Sequence, residues 1–374
     1  MPRQVDVVGR LTGQQLSGVL GLVRTAGQLD EVAPLSEQVL LSVRDSLTAD
    51  PADASAVSTT APHFLVYDGS HLAGYAHRDA GVAGDGSTAE LVVEPSVRRQ
   101  GTGTALIHAL EAATLRDAGL DDAVARDAVA RDAVARDAVA RDAAVKDPAS
   151  GRTPAPPVRT LRVWAHGDLP AGRAFALRFG YSTVRELWQM SRSLGPDGAL
   201  LPAASLPGGF RSRHFVVGQD EEAWLRVNAR AFVDHPEQGR VSRHDLDQRI
   251  AEPWFDAGGF ILVEDTRGPV PVLAASHWTK VVPAEGPDPD RTTRPALPPA
   301  GEVYVVGVDP AYQGLGVGRA VTVLGLAHLR ERGLAEAMLY VDADNRAAVA
   351  TYARLDFTRR AVDIMYARTV HPPV

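Results

Sequence analysis

Apolar residues in the first half of the chain recur in short alternating runs separated by turn-forming residues. In chain order this pattern predicts strands at residues 64–67, 72–77, 89–94, 161–165 and 184–190 and a short helix near residues 171–179. The third strand ends at Pro95 and leads through a glycine-bearing turn, Arg98 to Gly103, into an amphipathic helix. Strands that alternate with helices in this way are typical of an α/β fold.

The second half of the chain repeats the same order of elements. The pattern there predicts strands at residues 260–263, 272–278, 302–308, 337–341 and 360–366 and helices at residues 319–332 and 346–355. A second glycine-bearing turn, Gln313 to Gly318, again joins the third strand to a helix. Superposing the two turns aligns Val93 with Val308 and Gly101 with Gly316. The chain is therefore predicted to contain two tandem copies of one α/β domain.

Proline and glycine residues mark the boundary between the two copies. We expect a first domain over residues 1–195, a linker over 196–209 and a second domain over 210–374. Within the first domain, residues 121–148 contain a repeated DAVAR sequence of low complexity. Its composition favours helix, but its five-residue period places the valines around the whole helix. We interpret it as a solvated helical or partly disordered insertion without chemistry; a partner-binding arm is the alternative.

Composition limits the classes of partner. The chain has 374 residues, 45% of them apolar, and a net charge of −7, which argues against a nucleic-acid or anionic membrane surface as the main partner. It has no cysteine and no metal-ligand spacing of histidines, so we expect no disulfide and no metal. The start lacks the apolar core of a signal peptide, and no run reaches the roughly 18 apolar residues of a membrane span. We expect a cytoplasmic monomer that binds small molecules.

The glycine-bearing turn of the second copy is the main candidate for chemistry. A strand, a glycine-rich turn and a helix N-terminus direct free backbone N–H groups toward one point, which suits a pyrophosphate. A dinucleotide-binding fold and a plain tight turn are the alternatives. The first is disfavoured because antiparallel hairpin strands come before the turn. The second is weakened because the same spacing recurs at Arg98 to Gly103.

The pattern Gln/Arg-x-x-Gly-x-Gly after a strand resembles the acetyl-CoA signature of the GCN5-related N-acetyltransferase (GNAT) superfamily, and it occurs twice. Longer strings, among them HWTK at residues 277–280 and LYVDADNRAAVATY at 339–352, resemble the mycothiol synthase family of tandem GNAT proteins. The resemblance implies two GNAT domains, each a mixed, mostly antiparallel sheet flanked by helices. It also implies acetyl transfer from acetyl-CoA to the cysteinyl amine of desacetylmycothiol, a cysteinyl-glucosaminyl-inositol, giving mycothiol and CoA.

The resemblance places the active site in the second domain and a cofactor cradle without turnover in the first. The acetyl-CoA contacts that it implies in the second domain are Val306, Gly307, Val308, Gln313, Gly314, Leu315, Gly316, Val317, Gly318, Arg319, Asn345, Arg346, Ala347, Ala348, Val349 and Ala350. Those in the first domain are Leu91, Val92, Val93, Arg99, Gln100, Gly101, Thr102, Gly103 and Thr104.

Two residues of the second domain are candidates for proton transfer. Glu302 begins the strand before the glycine turn, where a carboxylate can accept the proton of an amine directly or through water; an exposed strand-end carboxylate is the alternative. The family places a thiolate-protonating tyrosine at the position of Tyr352, with core packing as the alternative. A bulge at Gly307 would free backbone groups for the thioester, but a packing glycine is equally compatible.

The acceptor contacts implied by the resemblance are Glu37, Lys280, Glu302 and Tyr340. Carboxylates suit an ammonium and diols, and lysine and tyrosine supply donors. In the first copy Ser87 aligns with Glu302 and Ala176 with Tyr352, so that copy lacks the proton-transfer pair. Two other functions stay open at this point: a tandem acetyltransferase for another amine, such as an aminoglycoside or a protein N-terminus, and a non-catalytic acetyl-CoA sensor.

Overall fold

A computed structural model of the chain describes residues 3–45, 62–80, 86–116, 159–196, 198–233, 236–282 and 299–371. The DAVAR insertion predicted at residues 121–148 lies outside the described residues. Contacts divide the chain into two compact units. The first unit is Met1–Glu186 with Asp363–Val374, and the second unit is Leu187–Val362.

The first unit is built on a mixed sheet. Its strands are β1 (Asp6–Val8), β2 (His63–Asp68), β3 (His71–Asp79), β4 (Ser87–Val93), β5 (Arg159–Ala165) and the part of β12 (Thr358–Val370) that follows residue 362, with β6 (Ser182–Ser193) beginning in this unit. The sheet order is β1-β2-β3-β4-β5-β12, and only the β4–β5 pair is parallel among the described pairs.

Helices cover both faces of this sheet. They are α1 (Gly13–Asp30), α2 (Glu37–Asp45), α3 (residues 102–116) and α4 (Pro170–Arg178). A capping box at Thr12 begins α1, because its hydroxyl accepts from the backbone N–H of Gln15. Apolar residues of α1 and α2 pack with Leu65, Tyr75 and Val92 on one face. Helix α3 packs on the other face, where Gly74 lies against its first turns.

The second unit repeats this architecture. Its strands are the end of β6, β7 (Phe210–His214), β8 (Phe260–Asp265), β9 (Val272–Val282), β10 (Ala300–Val308) and β11 (Glu336–Asp342). Its helices are α5 (Glu221–Ala231), α6 (Pro236–Gly239), α7 (Arg243–Ile250), α8 (Val317–Glu331) and α9 (Arg346–Ala353). The sheet order is β6-β11-β10-β9-β8-β7.

The two faces of this second sheet have different cores. Trp224 of α5 and Leu246 of α7 pack against Phe260, Trp278 and Val305, and we call this side the α5 face. Residues of α8 and α9 pack against Val303, Leu339 and Val341 on the other side, the α8 face. Because side chains alternate along a strand, this division fixes which residues of β9, β10 and β11 share a face.

The boundaries of the two units differ from those predicted from the proline- and glycine-rich stretch. Residues 196–209 belong to the second unit instead of separating two domains. Strand β6, in the first half of the sequence, supplies the strand that pairs with β11 in the second unit. Strand β12, at the end of the sequence, supplies the strand that pairs with β5 in the first unit. Each copy therefore completes its sheet with the last strand of the other half of the sequence.

Among the helices that the structure describes, none has the length and apolar character to cross a membrane.

Candidate active site

The glycine-bearing turn of the second unit presents a row of free backbone amides. Helix α8 begins at Val317 after Gly316, which has a φ of 83°, and Gly314 has a φ of 77°. The first backbone hydrogen bond of the helix is from Ala320 N–H to the Gly316 carbonyl. Within the described residues, the N–H groups of 314–319 donate to no other group of the chain. Such a set at a helix N-terminus fits a pyrophosphate.

The space around this turn is open, as a bound anion requires. A Cβ built on Gly314 or on Gly316 would have no atom within 4 Å. The left-handed backbone at these positions favours glycine, because an L side chain is strained there. At Gly318 a Cβ would lie 3.1 Å from Val308 Cγ2, so this glycine lets α8 approach β10. The residues present therefore fit the pyrophosphate of acetyl-CoA.

A gap opens between β10 and β11 next to the turn. The two parallel strands pair at Gly301, Glu302 and Val303 of β10, and no pairing of the described residues continues beyond Val303. The N–H and C=O groups of residues 305–308 that point toward β11 consequently have no ladder partner among the described residues there. A cofactor arm with amide groups can pair with such an edge. The predicted contacts Val306, Gly307 and Val308 all lie along it.

The bulge of β10 is at Tyr304, and the bulge predicted at Gly307 is wrong. Against β9, the register shifts between Val303 and Val305, while Gly307 pairs regularly with Ser276. A Cβ on Gly307 would lie 3.4 Å from Phe232 Cε2. Gly307 is therefore a packing glycine that makes room for the end of α5, which was the alternative reading of this position.

Glu302 and Lys280 face each other across the β9–β10 ladder. They form a directly opposed pair, so their side chains project from the same face of the sheet. This is the α5 face, since Trp278 lies two residues before Lys280. Glu302 is only 9% exposed, which excludes the alternative of an exposed strand-end carboxylate. The side chains of Glu302 and Lys280 are thus held side by side at the edge of the gap.

Tyr340 lies on the same face. Glu302 pairs with Met338 of β11, and Tyr340 follows two residues later. Tyr340 is 44% exposed, and its hydroxyl accepts a hydrogen bond of 3.5 Å from Gln189 Nε2. Three of the four predicted acceptor contacts are therefore brought to one face of one sheet.

Tyr352 lies on the other side of the sheet. It packs in the core of the α8 face, and its ring meets Phe357 edge-on at 5.7 Å between centroids. Within the described residues, its hydroxyl makes no hydrogen bond to the chain. Burial raises the pKa of this phenol to about 12, so it stays protonated at neutral pH. Tyr352 and Glu302 therefore lie on opposite faces of the sheet.

Two polar residues support the site without reaching into it. Asn345, a predicted cofactor contact, uses its side-chain oxygen to cap α9 by accepting from the Ala348 N–H at 3.1 Å. Asp309, which directly follows β10, is buried and forms an ion pair with Arg230 of α5. Sequence patterns did not reveal this pair, because the two residues are far apart along the chain. It anchors the beginning of the glycine-bearing turn.

The first unit keeps the cofactor features. Strand β4 pairs with β5 only from Ser87 to Ala89 among the described pairs, which leaves a gap beside residues 90–93. Gly101 has a φ of 91°, and Ala105 N–H donates to its carbonyl, as Ala320 does to Gly316. The N–H groups of residues 99–104 donate to no other group within the described residues.

The two residues predicted to transfer protons, Glu302 and Tyr352, have no equivalent side chains at the corresponding described positions of the first unit. The β9–β10 ladder contains one extra residue, Tyr304, whereas the corresponding β3–β4 ladder is regular. An alignment of the two units that starts at the glycine-bearing turns must therefore skip Tyr304. Thr88 therefore corresponds to Glu302, and the predicted alignment of Ser87 with Glu302 is wrong by one residue. Ala176 does correspond to Tyr352: Arg162 and Met338 pair with the corresponding residues Thr88 and Glu302, and Ala176 and Tyr352 each follow 14 residues later. Neither Thr88 nor Ala176 can act as base or acid.

A buried charged network occupies the first unit instead. Glu90 accepts from the Ser36 N–H at 2.6 Å and lies 3.4 Å from His166, which contacts Asp363 at 3.2 Å. Burial alone would lower the pKa of His166, but the hydrogen bonds to Asp363 and Glu90 raise it to about 10. Burial likewise opposes ionisation of Glu90, but the bonds from His166 and Ser36 lower its pKa. Glu37 follows Ser36 at the start of α2 and is half-buried.

Comparison with known proteins identifies the family to which the chain belongs. Residues 229–357 match the Acetyltransferase (GNAT) family. The mycothiol acetyltransferase of Catenulispora acidiphila is 43% identical over 97% of this chain and 98% of its own length. That of Thermobispora bispora is 42% identical over 97% of this chain and 99% of its own length. The chain belongs to the mycothiol acetyltransferase family.

The fold agrees with this membership. A tandem GNAT protein from the clavulanic acid biosynthesis pathway covers 99% of the chain with a TM-score of 0.60 and 16% identity. A GCN5-related N-acetyltransferase from Sphaerobacter thermophilus covers 100% with a TM-score of 0.59 and 20% identity. The prediction of an α/β fold with two GNAT domains is confirmed. As a member of its family, the chain is an acyl-CoA-dependent N-acetyltransferase.

Proposed function

We propose that the second unit transfers the acetyl group of acetyl-CoA to the cysteinyl amine of desacetylmycothiol, which gives mycothiol and CoA. The observation that carries this proposal is the placement of Glu302, Lys280 and Tyr340 on one face beside the gap between β10 and β11. We take the identity of the acceptor from the relatives, which are named mycothiol acetyltransferases. Carboxylate, ammonium and phenol groups suit an acceptor that has one amine and many hydroxyls.

In this proposal the amides of residues 314–319 bind the pyrophosphate, and the free edge of residues 306–308 pairs with the pantetheine arm. A bound acetyl-CoA supplies the thioester. Backbone N–H groups of the same edge polarise its carbonyl oxygen. The glycine-rich cradle of the first unit, from Arg99 to Thr104, binds a second acetyl-CoA without turnover. The predicted line of contacts from Asn345 to Ala350 lies along α9.

Two side chains move the protons. An α-amino group has a pKa of roughly 8, so a carboxylate such as Glu302 takes its proton directly or through a water. The neutral amine then attacks the thioester carbon, the C–N bond forms and the C–S bond breaks; the second proton that the nitrogen loses replaces, through water, the one that Tyr352 gives up. Tyr352 donates its phenolic proton to the departing thiolate, because its hydroxyl has no competing acceptor within the described residues. Lys280 and Tyr340 orient the sugar and inositol hydroxyls.

The test is a steady-state assay of CoA release with three acceptors: desacetylmycothiol, an aminoglycoside and a peptide with a free N-terminus. We expect turnover with desacetylmycothiol, and a loss of about 10²–10⁴-fold in kcat for Glu302→Gln, as is typical for a general base. Thr88→Val, at the corresponding position of the first unit, is the matched control and should retain full turnover. Preferred turnover of another acceptor, or full activity in Glu302→Gln, would contradict the proposal.

A further inference from the structure

Two aromatic rings of the α5 face lie against the Lys280 ammonium group, and a third ring packs against both of them. We call Trp254, Trp278 and Tyr304 the aromatic box. The Lys280 Nζ atom lies 4.7 Å from the ring centroid of Trp254 and 5.2 Å from that of Tyr304. Both distances are within the range of a cation–π interaction, about 6 Å or less. The ammonium group is therefore held against two ring faces.

The rings of the box hold one another in place. Trp254 and Tyr304 lie 5.0 Å apart between centroids at 63°, and Tyr304 and Trp278 lie 5.2 Å apart at 82°. These edge-to-face arrangements are favourable for aromatic pairs. Trp278 is 0% exposed and contacts Trp254 at 5.7 Å. The positions of the two rings that meet Lys280 are thus fixed by a fully buried third ring.

Tyr304 is also fixed from both ends. Its backbone is the extra residue of the β10 bulge. Its hydroxyl accepts a hydrogen bond of 2.8 Å from Arg249 Nε of α7. Arg249 Nη1 in turn donates to the Asp245 carbonyl at 2.8 Å. A bulge is a means of redirecting one side chain in a strand, and here it stands between Glu302 and the cofactor edge.

In the described residues of the first unit, the corresponding positions carry none of these parts. Thr88 pairs with Asp79 where Glu302 pairs with Lys280, and His77 stands in the place of Trp278. The corresponding β3–β4 ladder has no bulge. Within the described residues, the lysine, its carboxylate neighbour, the bulge and the box therefore occur together in the unit that holds the proposed proton-transfer pair, and not at the corresponding positions of the other unit. Lys280 is moreover one of only two lysines among the 39 basic residues of the chain, the other being Lys146.

We propose that Trp254 and Tyr304 are positioning residues that fix the Lys280 ammonium group for the hydroxyl groups of the acceptor. The inference rests on the proposed function, in which Lys280 contacts the acceptor. Lysine has a long, flexible side chain that loses rotamer freedom when it binds a ligand. Rings that already hold the ammonium group reduce this loss and so raise the affinity for the acceptor. Acetyl-CoA binding does not depend on them, because its contacts lie along the free edge and the turn.

Kinetic constants separate positioning from a general loss of structure. In Trp254→Leu and Tyr304→Leu we expect a KM for desacetylmycothiol that is ~2- to 30-fold higher, with the KM for acetyl-CoA unchanged. Trp254→Phe and Tyr304→Phe keep a ring and should show a smaller rise, which also covers the case in which a leucine variant does not fold. Phe255→Leu is the matched control, because Phe255 contacts Trp278 at 5.8 Å and makes no cation–π contact with Lys280. It should leave the acceptor KM unchanged.

NMR of the protein labelled with [ε-¹³C]lysine tests the box without turnover. Two lysines give two signals, and Lys146→Arg assigns the signal of Lys280. Ring currents should shift the Lys280 signal upfield in the unsubstituted protein, and Trp254→Leu should move it toward the unstructured value. An unshifted Lys280 signal overturns the inference, and so does an unchanged acceptor KM in folded variants whose signal has moved. If the unsubstituted protein does not acetylate desacetylmycothiol, the proposed function fails, whereas the NMR signal still reports the box.

Discussion

The substitution Gly316→Ala tests the role of the cradle in the second unit. Gly316 has a φ of 83°, where an L-residue costs about 1–2 kcal/mol. A Cβ there would have no atom within 4 Å, so the surrounding chain does not hold alanine in this strained conformation. We expect the turn to relax and the amides of residues 314–319 to lose their common direction. Binding of acetyl-CoA then has to return the turn to its strained conformation.

The expected effect is a rise in the KM for acetyl-CoA of about 5- to 30-fold, which is this strain energy at 1.4 kcal/mol for each factor of ten. The free energy of unfolding should fall by less than ~0.5 kcal/mol, because the relaxed turn is unstrained. Initial rates of CoA release and chemical denaturation give the two values.

Gly101→Ala is the matched control for this experiment. Gly101 has a φ of 91° and the same open surroundings, but it belongs to the first unit, which does not hold the proposed proton-transfer pair Glu302 and Tyr352. Its substitution should leave the KM that is measured by turnover unchanged. Two results would refute the reasoning: a Gly316→Ala protein with unaltered KM and a full strain cost in unfolding, or an equal rise in KM in Gly101→Ala.

Three further predictions concern other parts of the molecule. Tyr352→Phe should lower kcat about 10²-fold or more. Burial raises the pKa of Tyr352 to about 12, so its phenol stays protonated below that pH. Any alkaline loss of kcat that the unsubstituted enzyme shows below pH 12 should therefore persist in this variant. The pKa of His166 is higher in the folded protein, about 10 against the usual 6.5, so its stabilising effect is complete below pH 6.5 and is lost as the pH rises toward 10. Denaturation curves should show this decline, and His166→Gln should flatten it. Gly307→Val should lower the free energy of unfolding by about 1–3 kcal/mol, because its side chain meets Phe232; an unchanged midpoint would argue against this packing.

The sequence predicted the strands and helices of both units well, because alternation and glycine turns are local signals. It did not predict the exchange of β6 and β12 between the two sheets. The pattern of apolar residues predicts that these two segments are strands, but it does not specify the strands with which they pair. The sequence places the domain boundary at residues 196–209 because their composition is typical of turns. Such a composition marks a loop, and a loop can lie inside a unit as well as between two units.

The candidate site was predicted where it depends on a single motif and missed where it depends on packing. The glycine turn, Glu302 and Tyr352 follow from spacing and resemblance. The bulge at Tyr304 is one extra residue in a ladder, and a count along one strand does not show it. The aromatic box joins Trp254 to residues of two distant strands, so only the folded chain brings it together. This one-residue bulge also explains why Ser87 was aligned with Glu302.

The most direct measurement of the central claim is a crystal structure of the full chain with CoA and desacetylmycothiol. The account predicts a pyrophosphate on the amides of residues 314–319 and a sulfur atom at the gap between β10 and β11. The acceptor amine should lie within hydrogen-bond reach of Glu302, directly or through one water, and Tyr352 should face the sulfur. A CoA molecule bound only at the first unit, or a sulfur atom remote from both side chains, would contradict it.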